Sequence, residues 1–204
     1  MPTRDDAPPE APSERDHDNL VRLHGVTWAQ YEMILAIRGE HTAPRIAYHD
    51  GELELLSPGV AHAAIKKHIT RLVEAWAEEV QVNIKGFGSW TIKDPQARRA
   101  IEPDDCYVVG LREPKVPDLA IEVEWAAGAL DRLAIYGPLG VREVWTWKGR
   151  FLTVHALHKN AYVRVGQSMM LPTLDLGLLQ RFIGDPNPTM ALRSFRTLLR
   201  KRAG

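Results

Sequence analysis

The chain predicts an α+β domain, a mixed central β-sheet flanked by α-helices, and three observations carry that reading. Short apolar runs that read as strands fall at 45–49, 52–56, 106–109, 119–121, 141–147, 151–157 and 162–165. Longer segments with helical period separate them, most plainly 61–79, where Ile65, Ile69, Leu72, Val73, Trp76 and Val80 form one stripe. Tight-turn pairs such as Asp50-Gly51 and Lys159-Asn160 sit between neighbouring apolar runs, as hairpins require.

Length and composition fit one globular domain. At 204 residues, 45% hydrophobic and 25% charged, the chain can bury a sizeable core. Residues 1–19 are rich in Pro, Asp, Glu and Arg and almost free of large apolar side chains, so a disordered tail is expected there, with the domain over 20–204. The formal net charge is zero, so overall charge does not advertise nucleic acid. A single cysteine, Cys106, excludes a disulfide framework and reads as a packing residue in an apolar strand. With no bilayer-length apolar run and no signal-peptide core, the expectation is a cytoplasmic protein without a membrane partner.

In chain order, Thr27 and Gln30 form a capping box that opens a helix from Trp28 to Arg38, and Gly39 stops it. Arg45 to His49 and Glu52 to Leu56 pair as a hairpin around Asp50-Gly51, with Glu52 and Glu54 on one face and Leu53 and Leu55 on the other. Ser57-Pro58-Gly59 breaks the strand before the helix of 61–79, and His62 lies on its inward stripe at the start. Val82 to Ile84 and Trp90 to Lys93 read as strands around Gly86-Phe87-Gly88, followed by a polar loop over 94–100. A helix from Leu130 to Tyr136, antiparallel strands over 141–147, 151–157 and 162–165, and closing helices at 174–183 and 189–200 complete the chain.

The chemistry concentrates in two apolar strands, Cys106 to Val109 and Leu119 to Ile121, that carry acids at or beside their ends. Alternation puts Asp118, Ala120, Glu122 and Glu124 on one face, and pairing of the two strands brings Asp104 toward Glu122. Two carboxylates at the rim of an apolar sheet repel unless a cation lies between them. A hard divalent ion, Mg²⁺ or Mn²⁺, prefers such oxygen ligands. The alternative is that these acids face solvent at a sheet edge.

Glu102-Pro103-Asp104 followed by a strand, a spacer and a second strand bearing Glu122 resembles the PD-(D/E)XK nuclease superfamily. More closely, the chain resembles the bacterial Uma-type restriction endonuclease family. The matching text is Asp50-Gly51-Glu52-Leu53-Glu54, Ser57-Pro58, His62, Gly88-Ser89-Trp90-Thr91 and Pro117 to Val123, then Leu130 to Tyr136 and Gly140 to Trp145. The resemblance implies a restriction-endonuclease-like core, hydrolysis of DNA phosphodiester bonds with Mg²⁺ or Mn²⁺, and a homodimer on duplex DNA. It implies Asp104 and Glu122 as metal ligands, and Glu52 on the hairpin is a candidate further ligand. Glu124, in phase with Glu122 along the strand, is a candidate third ligand or proton acceptor. The resemblance places a histidine at His62, which either positions water or phosphate beside the carboxylates or caps its helix and bonds a neighbouring strand. The sequence departs from the family's pattern at two points. Glu124 stands where the motif lysine belongs, and the alternative lysine position on the following helix holds Arg132. Arginine stabilises phosphate charge but does not lose its proton, so Arg132 retains an electrostatic role and no role as a base. Ala63 follows His62 where many members carry an acid. Two other readings stand beside the enzyme: a catalytically weakened relative that binds nucleic acid or a protein, and a structural domain whose acids balance arginines.

Overall fold

The structure, a computed structural model, describes residues 17–124 and 129–203. The elements of its first half are β1 (Asn19–His24), α1 (Trp28–Arg38), β2 (Arg45–His49), β3 (Glu52–Ser57), α2 (Val60–Glu79), β4 (Ile84–Gly86), β5 (Ile92–Asp94) and β6 (Arg99–Ile101). The second half adds β7 (Asp105–Val109), β8 (Leu119–Glu124), α3 (Arg132–Leu139), β9 (Glu143–Lys148), β10 (Phe151–His158), β11 (Ala161–Val165), α4 (Leu176–Ile183) and α5 (Pro188–Ala203).

The α+β class with flanking helices is observed, but the strands divide between two sheets where one had been expected. The five-stranded sheet runs β1-β3-β2-β6-β5 and is antiparallel throughout. The six-stranded sheet runs β11-β10-β9-β8-β7-β4, antiparallel except for the parallel β8–β9 pair. Pro103 explains the split. It has no N–H for a ladder, so the extended chain leaves the first sheet after Ile101 and enters the second at Asp105. The strands on either side of Gly86-Phe87-Gly88 part in the same way. β4 joins β7, and β5 joins β6.

Each face is covered by the helix whose apolar stripe matches it. Ile69, Leu72, Val73 and Trp76 of α2 meet Leu119, Ile121 and Val123 of β8, with Phe195 of α5 and Leu179 of α4 closing the layer. Ala120, on the opposite side of β8, packs with Ile135, Tyr136 and Leu139 of α3 and with Ile92 and Ile101 of the first sheet. The alternation expected along β8 is therefore what separates the two cores. α1 covers the five-stranded sheet through Tyr31, which packs with Ile46, Tyr48 and Leu53. Its capping box is present, with Gln30 N–H donating to Thr27 Oγ1 at 3.3 Å and Thr27 N–H to Gln30 Oε1 at 2.7 Å.

Two elements were not expected. β1 takes the edge of the first sheet, pairing Asn19 with Ser57 through to His24 with Glu52. β6 occupies the end of the polar loop over 94–100. Of the tail expected over 1–19, residues 1–16 lie outside the described residues, while Asp18 and Asn19 are built into the fold. Gly137 and Pro138, expected to end the helix after Leu130, form its last turn. Gly140 ends it, in the left-handed conformation at φ 78°. Among the described residues, no helix is long and apolar enough to cross a membrane.

Candidate metal centre

Glu54, Glu102, Asp104, Asp105 and Glu122, five of the buried acids among the described residues, gather at the joint between the two sheets. The β7–β8 ladder pairs Asp105 with Ile121 and Cys106 with Ala120, a register that sets Asp104 across from Glu122. Both side chains are buried, Asp104 wholly and Glu122 to within 5% of its surface. Asp104 Oδ2 accepts the Val123 N–H at 2.6 Å, so the main chain of one strand fixes the carboxylate of the other. Glu122 Oε1 accepts from the hydroxyl of Tyr136 on α3. Burial and the Glu122 charge push the Tyr136 pKa well above its usual value, keeping that hydroxyl protonated as a donor.

Cations and an imidazole surround the pair. Arg45, at the start of β2, forms an ion pair with Asp104 Oδ1. The same oxygen lies 2.8 Å from His62 Nε2, and the other imidazole nitrogen lies 2.9 Å from Asp18 Oδ2. Asp18 Oδ1 also accepts the Gly59 N–H at 2.8 Å, which ties the entry of α2 to the start of β1. Arg132 pairs with Glu54, whose second oxygen accepts the Leu130 N–H at 2.7 Å. Burial opposes the Arg132 charge, yet Glu122 and then Glu54 outweigh it and raise the pKa. Arg45 is pushed the other way: burial lowers its pKa, against the pull of Glu122. Glu102, beside Asp104 in sequence, accepts from Arg38, from the Ile46 N–H at 3.0 Å and from Thr91 Oγ1 at 2.6 Å.

The structure thus brings Asp104, Glu122 and His62 to one corner and Arg132 beside them, but not Glu52. Glu52 sits at the hairpin end of β3, partly exposed, and bonds His24 at 3.1 Å and Arg22 at 3.3 Å. The buried hairpin acid is Glu54, two residues further along the same face and away from the turn. Glu124 ends β8, and its side chain lies outside the described residues. Arg132 is pinned to Glu54 and only 11% exposed, so its guanidinium is spent on the interior. Asp118 lies at the other end of β8, with Arg112 at 2.5 Å and the Val109 N–H at 2.9 Å. Lys93 bonds Glu32, and Arg196 and Arg200 clamp Glu79, so these basic residues have intramolecular partners. Burial raises the Cys106 thiol to about 12, in line with a packing role.

Arg45, Asp18, Tyr136 and Glu54 complete the corner and were not singled out from sequence. Glu54 carried a signal, since it shares a strand face with Glu52. Asp18 carried none, lying in a stretch with tail-like composition. Among the described residues, no three His, Cys, Asp or Glu side chains are gathered closely enough to hold a metal ion on their own. Asp104 and Glu122 nonetheless form an oxygen-donor pair of the kind Mg²⁺ uses, one or two carboxylates with the remaining positions left to water and phosphate. The counter-charge at Asp104 is the Arg45 guanidinium.

A family model described as Uma2, Putative restriction endonuclease, matches residues 28–182. No curated protein matches the chain.

Proposed function

The chain belongs to the Uma2 family, and from that premise we propose that it is a metal-dependent endonuclease hydrolysing DNA phosphodiester bonds, with Asp104 and Glu122 as ligands for Mg²⁺ or Mn²⁺. One observation supports the reading above the others. Two buried carboxylates from adjacent strands stand opposite each other at a break in the sheet, where Pro103 ends one ladder and Asp105 begins the next. Such a pair is costly to bury without compensating positive charge, which Arg45 supplies to Asp104 and a dication would supply in its place.

A hard dication bound there would supply positive charge for the phosphoryl oxygens and make bound water acidic enough to attack near neutral pH. The chain's own residues do the positioning. The Val123 N–H and His62 hold Asp104 from two sides, and Asp18 holds His62 in turn. Tyr136 aims Glu122. Arg132 and Glu54 fix the start of α3, and so the tyrosine it carries.

A second reading has its own support. Arg45 already meets Asp104, the arrangement expected of a nuclease-fold protein that binds nucleic acid or a partner without cutting. Two assays separate the readings. The enzyme reading expects Mn²⁺ to raise the melting temperature of the wild type but not of Asp104→Asn, and expects supercoiled plasmid to be nicked in Mn²⁺ by the wild type alone. An identical Mn²⁺ response in both proteins, or intact plasmid at high enzyme concentration, would remove the enzyme reading.

A further inference from the structure

α2 lays three side chains, each one turn from the next, over the acidic start of β7. His62 meets Asp104 at 2.8 Å, and Thr70, two turns on, donates to Asp105 at 2.5 Å. Lys66 stands between them on the same stripe, because positions i, i+4 and i+8 share a helix face. Unlike its neighbours, Lys66 forms no ion pair among the described residues, and neither do Lys67 and Arg71. All three line a cavity of about 640 Å³ that also takes in Arg45, Thr70 and Asp105. Arg45 is paired with Asp104, so Lys66, Lys67 and Arg71 face two acids of the groove, Asp105 and Glu74. Asp105 is already engaged by Thr70 and by the Cys106 N–H at 2.9 Å.

We propose that this groove takes the sugar-phosphate backbone of a DNA strand, with Lys66 meeting the phosphate nearest Asp104 and with Lys67 and Arg71 holding those that follow. The assignment rests on the nuclease reading for what the strand is, and adds where it lies and which cation meets it. It also fills the place that Arg132 leaves open. Arg132 is committed to Glu54 in the interior, whereas Lys66 is half-buried at the wall of an open cavity that Arg45 and Asp105 share. Lys67 and Arg71 are one turn apart, about 6 Å along the axis, and extend the cationic wall away from the acids. Burial and the nearby Arg45 charge lower the Lys66 pKa against the opposing pull of Asp105, so the ammonium is only partly compensated. A phosphate monoanion supplies that charge.

The test is fluorescence anisotropy of labelled single-stranded and duplex DNA oligonucleotides over a salt series, without a divalent ion so that nothing is cut. Lys66→Ala should weaken binding and reduce the slope of log affinity against log salt by about one, the signature of one lost phosphate contact. Lys66→Arg should restore both. The Lys67→Ala, Arg71→Ala double variant, which alters one exposed and one half-buried side chain, should lower the slope by about two on the same basis. Lys159→Ala, in the turn between β10 and β11, should match the wild type. Unchanged affinity and slope in Lys66→Ala and in the double variant would overturn the assignment, as would an equal loss in Lys159→Ala. Melting with Mn²⁺ on the same proteins keeps the two proposals apart. A normal Mn²⁺ response with lost DNA affinity supports the groove, and a lost Mn²⁺ response in Lys66→Ala counts against it. Wild-type protein that binds neither oligonucleotide would end both the groove and the DNA reading.

Discussion

At the scale of single residues, each buried acid of the corner has a named partner, and the cost of removing a partner depends on whether the acid is left charged and dry. Arg132→Met strands the Glu54 carboxylate on the Leu130 N–H alone. Breaking a buried pair from one side costs about 3–5 kcal/mol, so urea denaturation should show a loss of that order. Arg132→Lys should recover part of it, because an ammonium keeps the charge without the guanidinium's planar fit. Tyr136→Phe removes one hydrogen bond to Glu122 and should cost about 1–3 kcal/mol, with a larger proportional loss in plasmid nicking than in DNA affinity. Arg45 behaves differently if a dication and its guanidinium compete for Asp104. Arg45→Met should then tighten Mn²⁺ binding in calorimetry while lowering stability. Weaker Mn²⁺ binding in that variant would mean the arginine helps to build the site.

At the scale of elements, α5 is fastened to the end of α2 by charge as well as by Phe195. Glu79 bonds Arg200 and Arg196, and these contacts depress its pKa to about 2 from the usual 4.5. A depressed acid contributes stability that is fully present above its unfolded pKa and fades as pH falls toward its folded one. The difference in melting temperature between wild type and Glu79→Gln should therefore be constant above pH 5 and shrink between about 4.5 and 2. A difference that grew on acidification would contradict the clamp. The elements themselves were legible wherever local chemistry decided them. The Thr27 and Gln30 box, the Asp50-Gly51 turn and the α2 stripe all sit where pattern puts them. β1 and β6 were not legible, because an edge strand with mostly exposed side chains and a three-residue strand carry almost no periodicity. The division into two sheets was written in Pro103, but its meaning depends on which strands flank it in space. The same limit governed the site. Asp104, Glu122 and His62 stand out in the sequence, whereas choosing Glu54 over Glu52 requires knowing which end of the hairpin is buried. Asp18 and Arg45 become visible only when distant segments meet.

At the scale of the whole molecule, a net charge of zero conceals an uneven placement of the charged side chains. Asp104 and Glu122 are buried at the sheet joint, and Lys66, Lys67 and Arg71 of α2 line the groove that opens beside it. Averaging over the chain cancels the arrangement that the proposed function needs. DNA affinity should therefore fall steeply with salt despite the neutral total, since only the groove meets the phosphates. A salt-insensitive affinity would mean that DNA binds elsewhere or through apolar contact. The central claim is that the Asp104 and Glu122 pair exists to hold a dication. The most direct measurement is a crystal structure grown in Mn²⁺ with data collected for its anomalous signal. The account predicts one strong peak between the two carboxylates, with Arg45 swung off Asp104. Density without such a peak, and with the guanidinium still seated on Asp104, would contradict it.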